Sequence, residues 1–195
     1  MAPSTSRVLG VLISGRGSNL QAIIRAIDEG RLAARVGVVI ANRADAGGLD
    51  HARAAGIPTA VIQHTAFASR GAFEDALVER LQEAGAQVVC LAGFMRILSR
   101  VFLDRAPGPV LNVHPSLLPA FPGVDAQGQA WTHGVKVAGA TVHLVTPELD
   151  AGPIVLQAVV PVFDEDTPET LADRVLTLEH DLYPRCLAQL ARTRS

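Results

Sequence analysis

The sequence predicts an α/β fold, a mostly parallel and twisted sheet with helices on both faces. Short apolar runs alternate along the chain with segments of helical periodicity, as they do in repeated β-α units. Of the 195 residues, 49% are hydrophobic and 18% are charged, so the chain can bury a large core. This length fits a single domain, which we expect to span residues 1–195 with residues 1–6 as a disordered tail.

Continuous apolar runs predict the strands of this sheet. Residues 8–13 are apolar or glycine throughout, as expected of a strand that is buried on both faces. The other predicted strands are residues 36–41, 59–62, 88–92, 110–114, 140–145 and 154–162. Ligands of such sheets bind at the carboxyl ends of the strands. The first places to look for a site are therefore the positions that follow Ile13, Ala41, Ala92 and His114.

Helices are predicted between the early strands. Residues 19–29 follow the first strand and stop before Gly30, and residues 46–55 stop before another glycine. In residues 71–84 the apolar side chains recur at three- and four-residue steps, which gives a helix one apolar face.

The second half of the chain is predicted to hold a long loop and one further helix. Residues 115–139 are rich in proline, glycine and polar side chains, and long loops in compact domains are usually functional. Thr167-Pro168 is typical of a helix start, with threonine as the cap and proline in the first position. We expect this helix to reach about His180 and to be interrupted near Pro184.

Composition narrows the class of function. The net charge is −2 with both signs interspersed, so no nucleic-acid partner is indicated. Cys90 and Cys186 form no CxxC motif, which favours a reducing compartment. The N-terminus lacks a signal peptide's apolar stretch, and no apolar run approaches the roughly 20 residues that span a membrane. We therefore expect a cytoplasmic protein. The histidines form no HExxH motif or other short metal-ligand spacing, so we expect no metal site.

A glycine-rich turn follows the first strand. Ser14-Gly15-Arg16-Gly17-Ser18-Asn19 lies between a strand and a helix, where glycines allow close approach to a ligand and the helix offers free N–H groups. These features suit a phosphate. A dinucleotide fingerprint is excluded because Leu20 stands where its third glycine belongs and Asn42 where its acidic residue belongs. The turn could equally be an ordinary connection with Ser18 or Asn19 as the helix cap.

Asn112 and His114 are two residues apart on a predicted strand, so their side chains project from the same face. An amide N–H and an imidazole suit the stabilisation of an oxyanion and the transfer of a proton. Asp150, in a turn between two strands, is a candidate third member, since a nearby carboxylate favours the charged imidazolium. On spacing alone, these residues could instead tie down loops by hydrogen bonds, and His143 is interpreted as a satisfied core histidine.

Taken in order, these stretches resemble the phosphoribosylglycinamide formyltransferase family. The resemblance extends from about Arg7 to Ala191. It rests on residues 13–23, 91–98, 111–119, 141–143, 148–154 and 179–180. The family implies a Rossmann-like formyltransferase fold and formyl transfer from 10-formyltetrahydrofolate to the amino group of glycinamide ribonucleotide, without a metal. The partners that it implies are these two small molecules, with neither nucleic acid nor membrane, and the chain is expected to be a monomer or a homodimer.

The resemblance also implies roles for individual residues. Asn112, His114 and Asp150 would be catalytic. The residues that would bind the phosphoribosyl glycinamide are Gly17, Ser18, Asn19 and Glu179. The residues that would bind the folate are Arg70, Met95, Arg96, Ile97, Leu98, Asn112, Thr146, Pro147, Glu148, Leu149 and Asp150.

Two departures from the family pattern and two rival functions are considered. Gln127 stands in the long loop where many relatives carry histidine, and Arg16 stands where a small or polar residue is common.

One rival function is that of a sibling folate enzyme, such as a formyltetrahydrofolate hydrolase or another formyltransferase. The other is a non-catalytic protein that binds folate or a nucleotide. The ordered set of motifs favours the formyltransferase.

Overall fold

The computed structural model describes residues 6–192, with the side chains of residues 6–190. The tail expected at residues 1–6 therefore lies outside the described residues except for Ser6. Within this part, one sheet contains seven strands in the order β3-β2-β1-β4-β5-β6-β7. The strands are β1 (Arg7–Ile13), β2 (Ala34–Ala41), β3 (Thr59–Val61), β4 (Val88–Leu91), β5 (Val110–His114), β6 (Val137–Leu144) and β7 (Ile154–Pro161). Strands β1 to β5 pair in parallel, whereas β6 and β7 are antiparallel.

Helices cover both faces of the sheet, as predicted. They are α1 (Ser18–Asp28), α2 (Gly48–Ala54), α3 (Arg70–Glu83), α4 (Arg100–Arg105), α5 (Ala126–Thr132) and α6 (Pro168–Arg192). On one face, α1, α2 and α6 pack against the alternate side chains of β1 that include Val11 and Ile13. On the other, α3 and α4 pack around Leu12. This alternation explains why the first strand is apolar at nearly every position.

The expected interruption of the last helix near Pro184 is wrong, because α6 continues through this residue. Proline cannot donate the backbone bond that a helix normally forms there. The neighbouring side chains compensate, since Tyr183 and Cys186 are fully buried in the core. The Tyr183 hydroxyl also donates to the carbonyl of Leu111 on β5 at 3.0 Å. Packing against the sheet therefore outweighs the local cost.

Residues 115–139 are also more ordered than the sequence predicts. Helix α5 lies inside this region, and β6 begins at Val137. The helix starts at Asp125, whose carboxylate accepts from the Gly128 N–H at 3.3 Å. The sequence analysis overlooked this aspartate cap and the similar cap at Ser99, which starts α4. Both helices are too short for hydrophobic periodicity to be detected in the sequence.

Candidate active site

The carboxyl ends of β1, β4 and β5 bring the predicted site segments to one edge of the sheet. Ser14, which follows β1, joins two of these segments. Its N–H donates to the carbonyl of Gly93 at 3.1 Å, and its hydroxyl accepts from the N–H of Met95 at 2.8 Å. The glycine-rich turn after β1 and the segment after β4 are thus held together by a residue that the sequence analysis assigned only to the turn.

The structure brings Asn112, His114 and Asp150 close together. The Asp150 Oδ2 atom lies 3.4 Å from the His114 Nδ1 atom, and both side chains are more than nine-tenths buried. The His114 Nε2 atom lies 2.9 Å from the carbonyl oxygen of Phe121. Both ring nitrogens therefore face oxygen acceptors, and the protonated ring can donate to both. The Phe121 contact fixes the ring so that Nδ1 points toward Asp150.

The Asp150 carboxylate also organises the loop that precedes α5. Asp150 lies between β6 and β7 with a left-handed φ of 51°, a conformation that aspartate tolerates better than most residues. Its Oδ2 atom accepts from the Gly123 N–H at 2.8 Å. One carboxylate oxygen thus contacts both the imidazole and the loop.

His143 belongs to the same cluster, although the sequence analysis interpreted it as a core histidine. It is buried, and it pairs with Asn112 in the antiparallel register of β5 and β6. Its Nδ1 atom lies 3.0 Å from the Leu144 carbonyl oxygen, and its Nε2 atom lies 3.2 Å from the Asn112 Nδ2 atom. Burial lowers the pKa of His143, against smaller opposing effects of Leu144 and Asp150.

A neutral His143 therefore fixes the amide of Asn112. The Leu144 carbonyl can only accept, so Nδ1 of His143 carries the proton and Nε2 accepts from Asn112. One amide N–H of Asn112 is used in this way, and the second is left for a reacting oxygen. Only the register of β5 and β6 indicates this role of His143, and the register cannot be read from one sequence.

The glycine-rich turn has the geometry of an anion site. Gly17 precedes α1 with a φ of 75°, and a Cβ atom there would lie 2.5 Å from the Gly48 Cα atom, so only glycine fits. No side chain caps α1, which excludes Ser18 or Asn19 as the cap. The first helical bond runs from Gln21 N to the Gly17 carbonyl, so the N–H groups of the three residues between them are available to a ligand.

Asn19 and Glu179 form a buried pair beside this turn. The Asn19 Nδ2 atom donates to the Glu179 Oε2 atom at 2.8 Å. The Asn19 Oδ1 atom is buried and has no hydrogen-bond partner. Burial raises the pKa of Glu179 to about 7, against a smaller opposing effect of the bond from Asn19. The pair places a buried carboxyl group and an unsatisfied amide oxygen beside the glycine-rich turn.

Residues 93–99 include four of the predicted folate residues and are here called the folate segment; they present an outward face. Met95 and Ile97 are 72% and 60% exposed, whereas the Phe94 and Leu98 side chains are buried in the core. Leu98 can therefore contact a ligand mainly through its backbone. Arg70, at the start of α3, donates from Nη2 to the Ile97 carbonyl at 2.8 Å. A cleft of about 230 Å³ lies beside this segment, lined in part by Arg70, Arg96 and Ile97.

The remaining predicted folate residues form the turn between β6 and β7. The side chains of Pro147, Glu148 and Leu149 are exposed. The Thr146 hydroxyl donates to the Glu148 carbonyl at 3.3 Å, which closes the turn. Within the described residues, no group of three or more histidine, cysteine, aspartate or glutamate side chains is arranged to hold a metal ion.

A half-buried amide beside a buried imidazole and carboxylate, at the carboxyl edge of a mostly parallel sheet, is typical of an α/β enzyme of acyl transfer. The chain belongs to the formyl transferase family, because the model of this family matches residues 7–187. It is therefore a formyltransferase, and the resemblance drawn from the sequence is confirmed.

Similar proteins support this membership. The phosphoribosylglycinamide formyltransferase of Escherichia coli (strain K12) is 48% identical over 181 residues, which are 93% of this chain and 85% of that protein. The trifunctional purine biosynthetic protein adenosine-3 of Bos taurus is 50% identical over 97% of this chain, which spans only 19% of that protein's length. The crystal structure of glycinamide ribonucleotide transformylase 1 from Symbiobacterium toebii superposes with a TM-score of 0.92 at 54% identity, covering 95% of this chain and 88% of that one.

Proposed function

We propose that this chain transfers the formyl group of 10-formyltetrahydrofolate to the amino group of glycinamide ribonucleotide in purine biosynthesis. The observation that carries the proposal is the position of the Asn112–His114–Asp150 cluster at the sheet edge. The glycine-rich turn after β1 and the folate segment end at this same edge, joined through Ser14. Two substrates bound to these segments would meet at the cluster.

The glycine-rich turn supplies the nucleotide half of the proposed site. The phosphate would bind the backbone N–H groups of Gly17, Ser18 and Asn19, which lie at the positive end of α1. Glu179 would bind the amine or ribose side of the same molecule. Its buried carboxyl group lies beside the turn through the hydrogen bond from Asn19. This arrangement accounts for a polar pair that the core itself does not need.

The folate segment and the turn between β6 and β7 supply the other half. The exposed faces of Met95 and Ile97 give an apolar platform for a flat heterocycle, and Leu149 is a further exposed apolar side chain. The glutamate end of the folate would lie near Arg70, beside the cleft of about 230 Å³. The formyl group would then point toward Asn112.

The chemistry of the proposed reaction follows from the cluster. The substrate amine attacks the formyl carbon, a new C–N bond forms, and the bond to folate N10 then breaks. Asn112 donates to the oxyanion of the tetrahedral intermediate. Protonated His114 donates to it as well, once the ring N–H that faces the Phe121 carbonyl turns from this carbonyl to the oxyanion. Asp150 accepts from Nδ1 of His114 or orients a water molecule that carries the proton from the amine to N10. Orientation of two bound reactants can supply about 7–11 kcal/mol of the barrier reduction.

The direct test mixes purified protein with 10-formyltetrahydrofolate, with and without glycinamide ribonucleotide, and follows tetrahydrofolate by absorbance. Production that requires the ribonucleotide supports the proposal. Production without it indicates a hydrolase instead. Folate binding without production in either mixture indicates a binding protein or another amine acceptor.

The proposal extends to the state and place of the protein. Residues 1–195 would act as one formyltransferase domain in the cytoplasm, as a monomer or a homodimer. Cys90 and Cys186 are free and buried, which is compatible with a reducing compartment. In the described part of the chain, no helix is long and apolar enough to cross a membrane. Sedimentation of the purified protein distinguishes the monomer from the dimer.

A further inference from the structure

We infer that Glu74 is a positioning residue for the folate half of the site, acting through Arg70 and Ser99. This inference rests on the proposed function, in which the folate segment contacts the pterin. Glu74 lies on α3, where it lines the cleft of about 230 Å³ together with Arg70 and Ile97. The sequence analysis did not select it, because an acidic residue in a polar helix carries no signal by itself.

Glu74 is a carboxylate that the fold buries, at 4% exposure. A buried carboxylate is costly unless its oxygens are fully hydrogen-bonded. The Glu74 Oε1 atom accepts from Arg70 Nε at 2.9 Å and from the Ser99 backbone N–H at 2.8 Å. The Oε2 atom accepts a short hydrogen bond from the Ser99 hydroxyl. Every bond that Glu74 forms with another element thus goes to the end of the folate segment.

The partners of Glu74 extend this contact to two further backbone groups. Arg70 donates from Nη2 to the Ile97 carbonyl at 2.8 Å, so the guanidinium bridges Glu74 and the segment. The Ser99 hydroxyl also accepts from the Phe102 N–H at 3.2 Å, which fixes the start of α4. Glu74 therefore determines the path of the chain from Ile97 to α4.

The folate segment is consequently held at both ends. Ser14 binds Gly93 and Met95 at its start, and Glu74 binds Ser99 at its end. Between these points the outward face of the segment has few side-chain contacts, because Met95 and Ile97 are largely exposed. Release of the Glu74 end lets the platform shift while the glycine-rich turn stays in place. The expected defect is therefore specific to the folate.

The test compares Glu74→Ala with the wild type in the proposed reaction. We expect the KM for 10-formyltetrahydrofolate to rise about tenfold, as the loss of a buried hydrogen-bonded carboxylate predicts. The KM for glycinamide ribonucleotide should stay within about twofold, because no bond of Glu74 reaches the nucleotide turn. Glu74→Gln keeps the shape and one acceptor oxygen, and should restore part of the folate affinity. Glu83→Ala is the matched control, since Glu83 lies on the same helix in an exposed ion pair with Arg80.

An unchanged KM for the folate in a folded Glu74→Ala protein would overturn the inference, as would an equal rise in both KM values. If Glu74→Ala does not fold, Ser99→Ala removes the hydroxyl partner of Glu74 together with the cap of α4. An unchanged KM for the folate in this variant would likewise overturn the inference. Calorimetric titration with 5-formyltetrahydrofolate separates this inference from the proposed function. A wild type that binds but does not turn over refutes the function, while the ratio of dissociation constants still tests Glu74. Hydrogen exchange at the Met95 and Ser99 amides gives a readout without ligand, and equal rates in wild type and variant also refute the inference.

Discussion

Asn112 shows how a single side chain is prepared for its proposed role by its neighbours. Its amide is bound on one side by Nε2 of His143, whose burial favours the neutral ring that can accept this bond. The remaining N–H then has one direction in which to donate. An oxyanion donor that is fixed before the reaction avoids the cost of reorientation during it.

His114→Ala tests the proposed oxyanion donor. We expect the kcat to fall by about 10²–10³, because removal of one donor to the oxyanion typically has this effect. Steady-state rates measure the fall, and circular dichroism checks the fold. His51→Ala, on α2, is a control that should retain full activity. A kcat near that of the wild type would remove His114 from the proposed role.

His143→Ala tests the neighbour that orients Asn112. The kcat should fall about tenfold, a smaller effect than at His114, because the donor itself remains but loses a hydrogen-bond partner. Neither KM should change more than about twofold, since His143 touches no proposed ligand. Combination with Asn112→Ala provides the check. If the two changes multiply instead of overlapping, His143 does not act through Asn112.

At the scale of elements, the strands and the longer helices were predictable from periodicity, while the exceptions have physical causes. Helix α6 continues through Pro184 because tertiary packing of its buried neighbours offsets the lost bond. Helices α4 and α5 are too short for a periodic pattern, and only their capping residues indicate them in the sequence. Local sequence therefore predicts elements well where burial and hydrogen bonding agree with it.

The turn between β1 and α1 gives a prediction at this scale. Gly17→Ala combines a left-handed φ of 75° with a Cβ atom 2.5 Å from the Gly48 backbone. Gly30→Ala is a matched control, since its φ is 71° and its added Cβ meets no atom within 4 Å. The conformational cost of about 1–2 kcal/mol applies to both. Urea denaturation should show a larger loss for Gly17→Ala, and its KM for the ribonucleotide should rise. Equal losses would show that the turn relaxes freely.

At the scale of the whole molecule, a few buried polar contacts link elements that are distant in the sequence. One of them joins α1 to α6 through Asn19 and Glu179. Because burial raises the pKa of Glu179 from 4.5 to about 7, the folded state holds a proton that the unfolded state releases. The contribution of Glu179 to the free energy of unfolding is therefore fully present below pH 4.5, and it is lost as the pH rises through 7.

Glu179→Gln should remove this pH dependence. Between pH 5 and pH 8, the wild type is expected to lose up to about 3 kcal/mol of unfolding free energy from this group. The variant should lose correspondingly less, because its amide does not titrate. Chemical denaturation of both proteins at the two pH values measures the difference. Parallel curves for the two proteins would show that Glu179 is ionised in the fold at both values.

The whole site was only partly predictable from the sequence. Asn112, His114 and Asp150 could be found because polar residues at strand ends stand out from an apolar chain. His143 and Glu74 could not, since their roles depend on strand register and on the contact of a helix with a distant segment. Motifs reveal the residues that would touch a ligand, and three-dimensional contacts reveal those that hold them in position.

Ser14 has a consequence for how the two proposed ligands sense one another. Its backbone leads into the glycine-rich turn, and its hydroxyl and N–H bind the folate segment. A coupling free energy between the two sites that depends on this residue is reciprocal. A nucleotide that changes the affinity for folate by some factor therefore has its own affinity changed by the same factor. The thermodynamic cycle closes whichever ligand arrives first. The affinity for one ligand, measured alone, is one side of that cycle. The affinity for the same ligand, measured with the other ligand bound, is the opposite side, and the ratio of the two affinities gives the coupling.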